Sequence, residues 1–187
     1  MKRLVAGLVA ALALAGCSAG KDAVVQGSSF SFVSPGGRID ITYDVADRQT
    51  APVLAGDDLM NEGKQLSLAD YAGQAVVLNL WGQWCGPCRT EAPEMESLVK
   101  QGVQVVGIDV RDPAREVAQD FVRDRGLTYP SIYDPDGRVL LKLSGYPRNI
   151  IPSTIVLDKQ HRVAAVFLRP VLAQDVLPVT RRLAAEG

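Results

Sequence analysis

The run Ala75-Val76-Val77-Leu78-Asn79-Leu80-Trp81, followed closely by Trp84-Cys85-Gly86-Pro87-Cys88, restricts this chain more than any other feature. An apolar stretch of this length reads as a strand buried on both faces. Pro87 suits the first turn of a following helix, because its missing N–H has no bond to make there. The tip of a helix offers free N–H groups and partial positive charge. A thiolate held there is stabilised, and its pKa falls from about 8.5 into the range of roughly 3.5–7.5. The second sulfur is near enough to close a small disulfide ring. The other reading of Cys-x-x-Cys is half of a zinc site, which needs a second ligand pair. The remaining cysteine is Cys17 and the single histidine is His161, so the ligand count fails. Cys85 and Cys88 are therefore expected to form a redox-active disulfide with no metal and no other cofactor.

The chain opens with Met1-Lys2-Arg3, then residues 4–16 are apolar or small, and Cys17 follows Leu14-Ala15-Gly16. The apolar stretch is shorter than the roughly 20 residues of a membrane span and fits a secretory signal core. Leu-Ala-Gly-Cys resembles the bacterial lipoprotein processing box. In that family the cysteine sulfur receives a lipid and cleavage leaves it as the first residue. The alternative is plain secretion with Cys17 as a spare thiol. Lipidation of Cys17 plus one redox pair accounts for all three cysteines and leaves none for a structural disulfide. The expected organisation is a signal over 1–16, a lipidated tether over 17–29, an N-terminal extension over 30–50 and a main domain over 51–187. Loss of Lys2 and Arg3 takes a net charge of −1 further negative, which gives no electrostatic reason to bind nucleic acid. The expected location is the extracytoplasmic face of a bacterial cell membrane, reached through the lipid anchor.

Along the chain, 30–33 and 38–43 alternate around Ser34-Pro35-Gly36-Gly37 and read as a β-hairpin. Residues 44–63 read as a surface loop, and Gln65-Leu66-Ser67-Leu68 as a short strand or turn. After the strand over 75–81, a helix is expected over about 87–101, with Met95, Leu98 and Val99 at helical spacing and Gly102 ending it. A second buried strand covers 103–110. Asp112-Pro113 then supplies a cap and a first-turn proline for a helix to about Arg125 that buries Val117, Phe121 and Val122. This β-α-β-α rhythm implies parallel strands. Asp134-Pro135-Asp136-Gly137 is a turn that lacks the acidic repeat and distal glutamate of a calcium loop. Residues 153–157 and 162–167 read as an antiparallel hairpin. A last helix is expected over 172–185, with Pro178 tolerable only near its first turn.

Four stretches carry a family likeness: Asn79-Leu80-Trp81-Gly82-Gln83-Trp84-Cys85-Gly86-Pro87-Cys88, Glu91, Val106-Gly107-Ile108-Asp109 and Ile151-Pro152-Ser153-Thr154. With them, residues 50–185 resemble the membrane-anchored thioredoxin-like proteins of the TlpA/ResA type, and most closely the lipoproteins of cytochrome c maturation in actinobacteria. The resemblance implies an α/β thioredoxin fold: a central mixed sheet flanked by helices, with an N-terminal β-hairpin extension and a central αβ insertion. It implies that Pro152 is cis and faces the sulfurs, an isomer that costs little only at proline. Ile151 and Pro152 would then hold an extended substrate by strand addition. Cys85, expected to be the more exposed sulfur, would attack a substrate disulfide, and Cys88 would resolve the mixed disulfide. Trp84 would shield the pair, unless it only packs. Cytoplasmic thioredoxins carry a titrating Asp where Asn79 stands. Glu91 shares a helix face with Cys88 and would handle protons or recognise substrate, unless it is a solvated acid at a helix start.

The Gly86-Pro87 dipeptide is that of thioredoxin, reducing at about −270 mV, although extracytoplasmic space is oxidising. The resemblance implies a CcdA-like membrane thiol carrier as electron donor to a monomeric domain. The implied acceptor is the Cys-x-x-Cys-His of apocytochrome c, or another exported thiol protein. Three rivals are a disulfide oxidase or isomerase, a thiol peroxidase and a redox-inert binding module. The peroxidase pattern Pro-x-x-x-Thr-x-x-Cys finds neither its Pro nor its Thr in Leu78-Asn79-Leu80-Trp81-Gly82-Gln83-Trp84.

Overall fold

Strand β4 (Val76–Trp81) is buried at every position, as its apolar sequence requires, and the rest of the sheet is laid against it. The computed structural model describes residues 30–186; the signal, the tether and Cys17 lie outside the described residues. β4 pairs in parallel with β5 (Gln104–Val110), from Val76↔Gln104 to Trp81↔Asp109. On its other side it pairs antiparallel with β7 (Ser153–Leu157). β6 (Ser131–Asp134) continues the parallel set beside β5, and β8 (Val163–Phe167) closes a hairpin with β7. With β1 (Asp40–Thr42), β2 (Ala55–Asp58) and β3 (Gln65–Ser67), eight strands form one mixed sheet in the order β1-β8-β7-β4-β5-β6-β2-β3.

Side chains alternate across each strand. Val76, Leu78 and Leu80 join Val106, Ile108 and Val110 in one core layer. Val77 and Trp81 join Val105, Cys85, Cys88, Met95 and Leu98 in the other. Helices α1 (Gly86–Lys100), α2 (Arg115–Arg125) and α3 (Ala173–Ala185) all contribute buried residues to this second layer. The first layer is covered by the N-terminal segment and short 3₁₀ turns, through Phe30, Leu68, Leu140 and Tyr146. The helices therefore crowd one face. Two polar residues fall on that face by alternation: Asn79 of β4 and Asp109 of β5.

Four sequence expectations change. The expected hairpin over 30–43 does not form. β1 pairs with β8 instead, from Asp40↔Phe167 to Thr42↔Ala165, and the Phe32 N–H donates to Ser144 C=O at 2.9 Å. An isolated hairpin is marginal in water, whereas the free edge of β8 offers a ladder already backed by a core. Residues 44–63 are not simply a surface loop. β2 pairs antiparallel with β3 and β6, flanked by fully buried Leu54 and Leu59. Its Ala-Gly-Asp-Asp sequence has no strand propensity. Gly56 is accepted because a Cβ there would stand 2.7 Å from Ile132 Cγ2. α2 starts at Arg115 rather than at Asp112-Pro113, without a side-chain cap, because the Asp112 carboxylate is turned to the Gln83 N–H at 2.7 Å. The helix then buries Ala118, Gln119 and Val122 and leaves Val117 exposed. Pro178 sits inside α3 rather than in its first turn. Its ring deprives the Gln174 carbonyl of the usual partner, and both residues are exposed to water.

Gly107 of β5 is a packing requirement. Trp81 Nε1 donates to Ser131 Oγ at 3.2 Å across it, and a Cβ at 107 would stand 2.7 Å from Trp81 Nε1. Gly107→Ala is expected to cost about 1–3 kcal/mol through overpacking, read as a lower urea midpoint. An unchanged midpoint would show that the indole relaxes freely.

Candidate active site

β4 delivers the chain to residues 82–84, and α1 begins at once. Cys85 is the N-cap of α1, with extended φ −85 and ψ 109, and its sulfur accepts the Cys88 N–H at 3.2 Å. The Cys85 N–H donates to Gly82 C=O at 3.1 Å, and the Cys85 C=O accepts from Arg89 N–H at 3.3 Å. The two sulfurs are joined at 2.04 Å, with Cα atoms 5.3 Å apart. The sulfur that takes the cap position thus sits where backbone donors favour an anion.

Exposure does not separate the two cysteines: each residue is only 3% exposed. The expectation that Cys85 is the more exposed is corrected. Cys85 packs under the 150–152 turn, and what distinguishes it is its place outside the helix between exposed Trp84, Gly86 and Pro87. Trp84 is held rather than loose: its Nε1–H donates to Val110 C=O at 2.9 Å, and the Arg111 guanidinium lies 4.6 Å over its ring. Arg111 itself has φ 58, a backbone state that few side chains adopt.

The Ile151–Pro152 bond is cis. Ile151 O lies 3.7 Å from Cys85 Sγ; a disulfide sulfur has no proton to give, so this is a polar contact and not a hydrogen bond. Pro152 is buried and Ile151 half-buried. The structure thus brings Trp84, Cys85, Gly86, Pro87, Cys88, Ile151 and Pro152 to one place.

Asn79 and Glu91 lie beneath it, both inaccessible. Asn79 Nδ2 donates to Glu91 Oε2 at 2.8 Å and reaches Thr154 Oγ1 at 3.5 Å, while Val171 N–H donates to Glu91 Oε1 at 2.8 Å. Glu91 is therefore not a solvated first-turn acid. Burial pushes its carboxyl up to about 7, against the Val171 and Asn79 hydrogen bonds and the Arg169 charge, which favour the anion. Sequence reasoning gave no site role to Val110, Arg111 or Val171; Val110 ends β5 and Arg111 follows it, at the strand end facing the Cys85 turn, a placement that needs the β4–β5 register. Among the described residues, no group of three or more His, Cys, Asp or Glu is arranged to hold a metal ion.

Residues 48–166 match the AhpC/TSA family, and residues 1–18 match the prokaryotic membrane lipoprotein lipid attachment site. The thiol-disulfide oxidoreductase ResA of Geobacillus thermodenitrificans is 35% identical over 136 residues, which are 71% of this chain and 75% of that protein. The crystal structure of a secreted thiol-disulfide isomerase from Corynebacterium glutamicum is 51% identical, with a TM-score of 0.82 over 86% of this chain and 100% of that one. The crystal structure of a DsbF homologue from Corynebacterium diphtheriae is 49% identical, with a TM-score of 0.79 over 83% of this chain and 99% of that one.

Glu91 gives a pH signature. An unfolded glutamate ionises near 4.5, whereas the folded one holds its proton to about 7. Between these values the folded state binds more protons, so stability falls as pH rises through that window. Glu91→Gln stays neutral and keeps the Val171 bond; the Asn79 amide turns to present its oxygen. In urea melts of the oxidised protein from pH 4.5 to 7.5, the variant is expected to lose part of the decline that the parent shows. Parallel curves for the two proteins would remove Glu91 as a buried acid.

Proposed function

Because this chain belongs to the AhpC/TSA family and, within it, to the ResA-type thiol-disulfide oxidoreductases, we propose that it is a reductase of exported proteins. Its client is the oxidised Cys-x-x-Cys-His segment of apocytochrome c, whose thiols must be free for haem attachment. The carrying observation is the Cys85 sulfur, placed at the α1 N-terminus and against the Ile151 carbonyl beside Pro152. The lipid attachment match at 1–18 supports anchoring through Cys17 at the extracytoplasmic face of the cell membrane, with 17–29 as a tether.

In the reduced protein, the Cys85 thiolate attacks one sulfur of the client disulfide. The client's other sulfur leaves as a thiolate and takes a proton. Cys88, deprotonated, then attacks the Cys85 sulfur; the bond to the client breaks and its second thiol is released. The client gains two electrons and the protein is left with the Cys85–Cys88 disulfide. Glu91, one turn along α1 from Cys88 and titrating near neutrality, takes the proton that Cys88 gives up. Asn79 holds Glu91, Trp84 borders the attacking sulfur, and the Ile151 and Pro152 backbone receives the extended client. Gly86 and Pro87 set the thioredoxin-like spacing. A CcdA-like membrane thiol carrier returns two electrons to the monomeric domain. A negative net charge does not favour nucleic acid as a partner.

A second reading runs the electrons the other way, as an oxidase or isomerase of exported proteins. It is favoured by the relative at 51% identity, which is described as a secreted thiol-disulfide isomerase. The peroxidase reading has no Pro-x-x-x-Thr-x-x-Cys to support it. A redox-inert module has no use for a closed disulfide at a helix tip.

Cys88→Ser cannot resolve a mixed disulfide and is expected to accumulate clients covalently on Cys85, identified by mass spectrometry. Capture of apocytochrome c, with a potential within a few tens of millivolts of thioredoxin's roughly −270 mV, supports the reductase. Capture of many unrelated exported proteins, with a potential nearer the roughly −120 mV of DsbA, sinks it in favour of the oxidase.

A further inference from the structure

Behind residues 82–84 lie two buried carboxyl groups that thiol–disulfide exchange does not require. Asp109 is the penultimate residue of β5 and Asp112 follows the strand; they are 0% and 1% exposed. Both carboxyl oxygens of Asp109 and Oδ1 of Asp112 have no hydrogen-bond donor. The other Asp112 oxygen, Oδ2, accepts the Gln83 N–H at 2.7 Å. The neighbouring donors are engaged elsewhere. Arg115 Nη1 donates to Asp58 C=O at 2.8 Å, Gln119 Nε2 to Leu59 C=O at 2.8 Å, and Tyr133 Oη–H to the Asp112 backbone C=O at 2.8 Å. Asp134, the third acid nearby, spends its carboxylate on the Val139 and Leu140 N–H groups.

Among the described residues, Asp109 and Asp112 hold the buried side-chain oxygens left without a partner, and they stand three positions apart at the end of β5. As two carboxylates they would present only acceptors to each other, and like charges so placed cannot both persist without water. As one acid and one carboxylate they relieve two of the three orphan oxygens: the proton that Asp109 holds is donated to Oδ1 of Asp112. We propose that Asp109 and Asp112 form one carboxyl pair sharing a single proton, and that this pair positions residues 82–84 for thiol–disulfide exchange at Cys85. Asp109 is the proton holder. Asp112 is the anion, receiving Asp109 on Oδ1 and Gln83 on Oδ2.

The charge balance around Asp109 agrees with this division. Burial is the largest influence and pushes its carboxyl up to about 10; the hydrogen bond and charge of Asp112 and the charge of Asp134 add to it, and the Arg115 guanidinium opposes it. The mechanical link is short. Gln83, tied to Asp112, is followed by Trp84, tied to Val110 C=O at 2.9 Å, and then by Cys85, whose N–H is tied back to Gly82. Three consecutive residues are thereby pinned to the end of β5 and to their own turn. The pair is a positioning element, independent of the direction in which electrons flow.

The NMR and amide-exchange readings use the oxidised protein, in which Cys85 and Cys88 carry no thiol to titrate; the rate reading uses the protein reduced with dithiothreitol. The Asp109 side-chain carboxyl carbon, followed by ¹³C NMR, is expected to read as a neutral acid at pH 7 with Asp112 ionised; two ionised groups at pH 7 would overturn the proposal. Asp109→Asn keeps a donor for Asp112 without a titrating proton. It is expected to retain Gln83 amide protection from exchange and the rate of insulin disulfide reduction within about twofold of the parent. Asp109→Ala leaves Asp112 without that donor and is expected to lose the protection and on the order of tenfold in rate, as displaced catalytic geometry does. Loss in Asp109→Asn equal to that in Asp109→Ala, or full protection and rate in Asp109→Ala, would overturn the assignment. If Asp109→Ala does not fold, the ¹³C reading and Asp109→Asn decide it.

Discussion

A helix ordinarily recruits the oxygen of Ser, Thr, Asp or Asn to cap its first turn; here the cap is the sulfur of Cys85, receiving the Cys88 N–H. That substitution turns a structural position into a chemical one. The donors that would pin an inert hydroxyl instead favour negative charge on the atom that attacks in the proposed mechanism. The cap exists only because β4 ends where it does. Parallel pairing with β5, and antiparallel pairing with β7, bring Trp81, the end of β5 and the start of β7 to one end of the central strands. The Ile151 carbonyl and the Val110 carbonyl reach the active turn from those two neighbours.

Two buried acids on the helix-covered face illustrate how burial is moderated. Glu91 meets two donors, Asn79 and Val171, and the Arg169 charge, so burial raises its pKa only to about 7. Asp109 meets no donor and has two acids for neighbours, and burial carries it to about 10. Asn79 is what makes the difference legible: an Asp at that position would have faced Glu91 with like charge, whereas its amide donates at 2.8 Å.

The elements that surround the site were readable because their patterns are local. β4 and β5 are continuous apolar runs, α1 repeats its apolar residues at helical spacing, and β7 and β8 flank a turn. What could not be read depends on distant partners. β1 chose β8 over the nearby 30–33 segment, and β2 is a strand only because β3 and β6 lie on either side of it. The helical spacing placed Glu91 on the face of Cys88, but its burial needs the segment leading into α3, whose Val171 N–H closes over it. The same is true of Cys85, which lies against Ile151, far away in the chain. Asp109 stood in the sequence as a lone acid in a buried strand, a signal of cost without a signal of purpose.

In the proposed mechanism, the cap at Cys85 and the buried Glu91 act on the dithiol in opposite senses. A cap that stabilises the Cys85 thiolate stabilises the reduced protein, and a stabilised reduced form makes a dithiol pair more oxidising. Glu91 works against it: whenever it is ionised, an anion lies one turn along α1 from Cys88 and disfavours a thiolate there. Because Glu91 ionises near neutrality, the opposing influence is present above about pH 7 and absent below it. Relatives that share the cap and the dipeptide but differ in the buried acid and its donors would then differ in potential.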